Sequence, residues 1–155
     1  MSFDFKQLDA DTRRLMLEEV DRAHQTGNIY SSKRFNAAGN AQWVPLLREA
    51  AGSHNEHWLA YQVEAQGLMK EYEEAKKKLG GYTTKHVPHT AAETLAEGQF
   101  NRFYVLAIAR RAIDQGQKTV TVYRAKERAD PRPESEALIG SQLSADQLIQ
   151  ELRSV

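Results

Sequence analysis

The apolar positions of this chain fall into helical spacing over most of its length and into alternation only near its end. Between residues 12 and 25, Met16, Val20 and Ala23 share one side of a predicted helix, flanked by Leu15 and Leu17. Asp9 or Asp11 can cap its start, and Gly27 is placed to end it. "NIYSSKRFNAAGN" is rich in turn formers and reads as a loop with one short extended piece. "AQWVPLLREAAG" then reads as a brief helix, in which Pro45 is tolerable only within the first turn.

The most regular pattern runs from residue 53 to residue 79. Trp58, Tyr61, Ala65, Leu68, Tyr72, Ala75 and Leu79 are separated by 3, 4, 3, 4, 3 and 4 positions. That is a heptad seam, the spacing of a helix lying along a second helix. Ser53 and Glu56 have capping-box spacing at one end, and Gly80-Gly81 closes the other. The spacing therefore predicts one rod of about 39 Å, long enough to project or to meet a second copy.

"GYTTKHVPH" reads as a connector with room for a short strand. Thr90 and Glu93 form a second capping box and open a helix whose middle, Phe103 to Ala109, is apolar on every side. Leu95, Ala96, Phe103, Leu106 and Ile113 fall on one face, and Val105, Ile108 and Ala112 on the opposite one. Such a helix is expected to be covered from two directions. Gly98 costs it about 1 kcal/mol against alanine and marks a kink or a close helix crossing. "KTVTVYRA" alternates as a strand does, "ALIGSQL" supplies a second short strand, and Ser144 with Gln147 opens a terminal helix. In that last helix Leu148, Ile149 and Leu152 face inward. The expected fold is helix-dominated α+β. A long heptad-patterned helix and a central buried helix pack with a small C-terminal sheet, in a single domain over residues 1–155.

Composition narrows the chemistry. The 155 residues carry 21 basic and 21 acidic side chains and no cysteine. Balanced charge gives no general field for nucleic acid or membrane, and the missing cysteines remove disulfides, thiolate metal sites and thiol nucleophiles. No stretch approaches the run of about 20 apolar residues that a membrane span needs, and the N-terminus lacks a secretory pattern.

The candidate sites are few. His54, His57, His86 and His89 come as two i, i+3 pairs and could hold a metal if the pairs met. Lys33, Arg34, Arg102, Arg111 and Arg124 are the cations available to a nucleic-acid surface. Lys77 and Lys78 follow Glu73 and Glu74 by four, the order of helix ion pairs. Arg110 falls among the aromatic-side residues, so it needs a carboxylate; Asp114 is the nearest, with Glu134 and Glu136 as alternatives. Trp58, Tyr61, Leu68, Tyr72 and Leu79 suit a surface half buried and half wet, as protein interfaces are. No phosphate loop, nucleophile elbow or poised nucleophile is present in the sequence, and no cofactor is implied. The expectation is a non-catalytic interaction or assembly component, self-associating or docking on a larger protein. A cytoplasmic setting or an intracellularly assembled particle, such as a phage or bacterial accessory protein works in, would suit it. A nucleic-acid-associated protein and a histidine metal binder are the alternatives.

Overall fold

The computed structural model describes residues 5–121 and 139–154. Its elements are α1 (Ala10–Gln25), α2 (Ala37–Ser53), α3 (Glu56–Ala65), β1 (Tyr72–Lys76), β2 (Tyr82–His86), α4 (Ala91–Asp114), β3 (Thr119–Thr121), β4 (Gln142–Ser144) and α5 (Ala145–Arg153). The fold is α+β and helix-dominated, with two separate two-stranded antiparallel sheets among the described residues, β1-β2 and β3-β4. No helix among the described residues is long and apolar enough to cross a membrane. The backbone separates into two compact units, Met1–Ile29 with Asn101–Val155, and Tyr30–Phe100. The boundary falls inside α4.

In the first unit, Asp9 caps α1 by accepting from the Thr12 amide at 3.0 Å, a contact of about 1 kcal/mol. The stripe Leu15, Met16, Val20 and Ala23 is buried, as the spacing demands. Phe103, Leu106, Ala107 and Ala109 of α4 are buried too, whereas Ile108 is half buried and Ile113 exposed. The apolar coat of α4 is thus less complete than its sequence suggests. Ser144 caps α5 through the Gln147 amide at 3.3 Å, and Ile149 is the buried anchor of that helix. Strand β3 pairs with β4 through Val120 opposite Leu143. The expected continuation of the strand through Val122 and Tyr123 lies outside the described residues.

In the second unit, α2 starts earlier than its apolar pattern implies. Asn36 accepts from the Gly39 amide at 2.9 Å and sets the helix going at Ala37. Pro45 consequently lies inside the helix rather than in its first turn. Both Pro45 and Ala41, the residue whose carbonyl loses its amide partner, are exposed, so water can take the place of that bond. Trp43 is buried against Phe35, ring centroids 5.3 Å apart, and its indole N–H donates to the Tyr30 carbonyl at 3.0 Å.

The long rod does not form. Helix α3 ends at Ala65, and Tyr72 to Lys76 is a strand. The cause is local. Gly67 sits at φ +61°, the Leu68 amide donates to the Val63 carbonyl, and the Gly67 amide donates to Glu64, each at 3.1 Å. This paired ending satisfies the last carbonyls and requires a left-handed residue just past the helix, which glycine supplies at least cost. Leu68 then plugs the core at 1 % exposure. The helix itself is capped by Asn55, not by Ser53.

Candidate interaction surface

With the rod gone, the five seam residues expected to form an interaction surface part company. Trp58 is half buried and stacks on His54, centroids 4.1 Å apart and planes 7° apart. Tyr61 is exposed on α3, and Leu68 belongs to the core. Tyr72 and Leu79 belong to a different element, the β1-β2 ribbon, where Leu79 stands at the tip with 101 % exposure. A heptad packing surface is therefore replaced by an extended hairpin.

The ribbon's register pairs Tyr72 with His86, Glu73 with Lys85, Glu74 with Thr84, Ala75 with Thr83 and Lys76 with Tyr82. A turn from Lys77 to Gly80 joins the strands. Every residue of β2 is exposed. Successive residues alternate sides, so Tyr72, Glu74, Lys76, Tyr82, Thr84 and His86 share one face. On it the Tyr72 and His86 rings lie 4.4 Å apart, and Tyr82 is 65 % exposed. The other face carries Glu73, which accepts from Arg34 at 2.7 and 3.1 Å and lies 3.7 Å from Lys85. Its bonds with Arg34 hold the Glu73 carboxyl below its usual range. The i, i+4 pairing expected of Glu73 with Lys77 and of Glu74 with Lys78 needs a helix and is absent from the strand geometry. At the ribbon's foot, Val63, Met69, Val87, Pro88 and Ala92 contribute to an open groove of about 450 Å³.

The first unit holds a buried charge cluster. Glu19, only 2 % exposed, accepts two bonds of 2.9 Å from Arg153 and one of 3.2 Å from Arg110. Burial works to raise its carboxyl, but Arg153, Arg110 and Arg22 outweigh it and hold the group below its ordinary value. Arg110 also reaches Glu18 at 3.3 Å. Its carboxylate partners among the described residues are thus in α1, not Asp114 one turn along, because the side chain lies across the α1 interface; Glu134 and Glu136 fall outside the described residues. Arg102 is buried, with Nε donating to the Leu152 carbonyl at 2.9 Å and Nη1 to Asn28 at 3.3 Å. Burial pushes its guanidinium down, opposed by the charge of Glu19. Glu19, Arg22, Arg102 and Arg153 border a cleft of about 70 Å³, water-sized rather than substrate-sized.

The residues named for the two alternatives are spread over several of the described elements. Of the cations proposed for nucleic acid, Arg34 is held by Glu73, Arg111 by Asp9 at 2.8 Å, and Arg102 is buried, while Lys33 is exposed. Arg124 lies outside the described residues. His54 neighbours Glu49 at 3.6 Å, His57 neighbours Glu56 at 3.4 Å, and His86 sits against Tyr72. No group of three or more His, Asp or Glu among the described residues could hold a metal ion, so the two histidine pairs, His89 included, do not form one site. Sequence reasoning passed over Glu19, whose signal was a carboxylate set within the apolar stripe of α1. The short strand allowed within "GYTTKHVPH" is β2, but its partner strand Tyr72–Lys76 was missed, although "KLGGYTT" signals the hairpin with a glycine turn followed by β-favouring residues. Compared with known proteins, the chain matches no family model, no curated protein and no solved structure.

Proposed function

We propose that this chain is a non-catalytic interaction or assembly component that engages other protein through its β1-β2 ribbon, in the cytoplasm or in a particle built there. The observation that carries this reading is the ribbon's exposure. A two-stranded hairpin is marginal in water unless something covers it, yet β2 is exposed throughout and Tyr72, Leu79 and Tyr82 face outward. Aromatic side chains on an exposed ribbon suit partner contact more than self-burial. Charge favours protein over nucleic acid as the partner. Within residues 72–86, Lys76, Lys77, Lys78 and Lys85 stand against Glu73 and Glu74, four against two, a surplus of two. That is too little for phosphate-driven binding. The charge cluster around Glu19 is paired off between helices and suits holding them together.

The test replaces residues 72–86 with a short glycine turn and follows the chain in the cells that make it. Cross-linked complexes present with the intact chain and missing with the ribbonless one are the expected result. Identical complexes with both chains would refute the reading.

A further inference from the structure

We infer that the free edge of β2 pairs with the same edge of a second copy, forming a continuous four-stranded antiparallel sheet β1-β2-β2-β1 across a two-fold axis at Thr84. This rests on the reading of the ribbon as an interaction element and names its occupant.

The hydrogen-bond phase of the ribbon fixes which groups are free. The Val87 amide donates to Glu71 and the Lys77 amide to Gly81, each at 2.9 Å. Bonded and non-bonded pairs alternate along an antiparallel ladder. The bonded pairs are therefore 71 with 87, 73 with 85, 75 with 83 and 77 with 81. Tyr82, Thr84 and His86 fall on the alternate positions, so their amides and carbonyls point away from β1, along an edge that is exposed from end to end. That edge has no proline and no bulge to discourage pairing.

The sequence of this edge, Tyr-Thr-Thr-Lys-His, is complementary to its own reverse. With the axis at Thr84, Thr84 meets Thr84, Tyr82 meets His86, and Thr83 meets Lys85 of the second copy. The outward amides and carbonyls at 82, 84 and 86 then all find partners, two bonds at each of three pairs. No like charges stand opposite, a threonine pair holds the centre, and aromatic rings flank it, all favourable cross-strand combinations. On the exposed face, the Tyr72-His86 contact extends onto Tyr82 of the second copy. The outer edge of β1 offers no such match. An axis at its middle places Glu74 against Glu74, and its foot is already flanked, with the Lys70 amide donating to the Arg34 carbonyl at 2.7 Å.

Five residues of edge bury less than the roughly 1,600 Å² of a standard interface, so dissociation in the micromolar range or weaker is expected. Sedimentation equilibrium of the whole chain, up to about 1 mM, reads it directly. The intact chain should show a monomer–dimer equilibrium. Thr84→Pro removes an amide that the β1-β2 ladder does not use and should weaken the dimer at least about tenfold with the melting transition retained. Thr84→Lys is the control against misfolding. It faces Glu74 within its own ribbon but opposes a second lysine across the axis, so the dimer should weaken at low salt and recover at high salt. A chain that stays monomeric at about 1 mM, or a dimer indifferent to both substitutions, would overturn the inference. A monomer that still forms ribbon-dependent complexes in cells would sink the self-pairing alone. Loss of ribbon dependence in cells would sink the broader reading.

Discussion

Glu19 of α1 and Arg153 of α5 are joined by two parallel hydrogen bonds, Oε1 to Nε and Oε2 to Nη2, each 2.9 Å long. The same carboxylate accepts from Arg110 of α4, so one buried group ties three helices of the first unit together. Glu19→Gln keeps the shape and removes the charge. A fully buried broken pair costs about 3–5 kcal/mol. Arg110 and Arg153 are 26 % and 32 % exposed at the side chain, so water recovers part of that and about 2 kcal/mol is expected. Thermal or urea unfolding of the variant checks it.

Acid should loosen the same unit. The folded pKa of Glu19 is depressed, and that of Asp9 is depressed through its bonds to the Thr12 amide and Arg111. A depressed carboxyl stabilises the folded chain fully above its unfolded value, about 4 for these residues. The contribution is lost as pH falls below that value and through the folded one. Melting temperature should therefore fall steeply on acidification from about pH 5, and the fall should be shallower in Glu19→Gln, which has one carboxylate fewer to protonate.

Gly98 lies within α4, and an added Cβ would meet nothing within 4 Å among the described residues. It therefore marks no close helix crossing among the described residues. Gly98→Ala should stabilise the chain by about 1 kcal/mol through helix propensity and the unfolded state. A denaturant midpoint shifted upward, at unchanged slope, is the expected reading.

Leu68 is buried at the end of α3, where its amide and carbonyl bond Val63 and Asn36. Leu68→Asp forces a charge into that core and should cost about 4 kcal/mol or more. Far-ultraviolet circular dichroism should show the loss. Tyr61→Ser, on the exposed side of the same helix, should melt as the unsubstituted chain does.

Much of this architecture is legible in short stretches. Asp9 before α1, Ser144 before α5 and the apolar stripe Leu15-Met16-Val20-Ala23 reveal their elements because each depends on neighbours within a turn or two. The seam from Trp58 to Leu79 misleads for the same reason. Its spacing satisfies a helix, but "AQGL" at 65–68 builds a helix ending, and "KLGGYTT" builds a hairpin that turns Tyr72 and Leu79 onto another element. Two glycine-centred signals outweigh a periodicity because a helix cannot pass through a left-handed residue cheaply. The partner of Arg110 was hidden for a different reason. Glu19 lies 91 residues earlier in the chain, so only tertiary packing brings the two together. The free edge of β2 was invisible until the phase of its ladder was known.

Among the described residues, β2 presents to another strand the backbone groups that β1 does not use. Amide hydrogen exchange resolved by residue and repeated over chain concentration tests it most directly. Tyr82, Thr84 and His86 should exchange freely in dilute solution and gain protection as concentration rises, while Thr83 and Lys85 hold steady. Exchange at Thr84 that is already slow in dilute solution, or that ignores concentration up to about 1 mM, would contradict it.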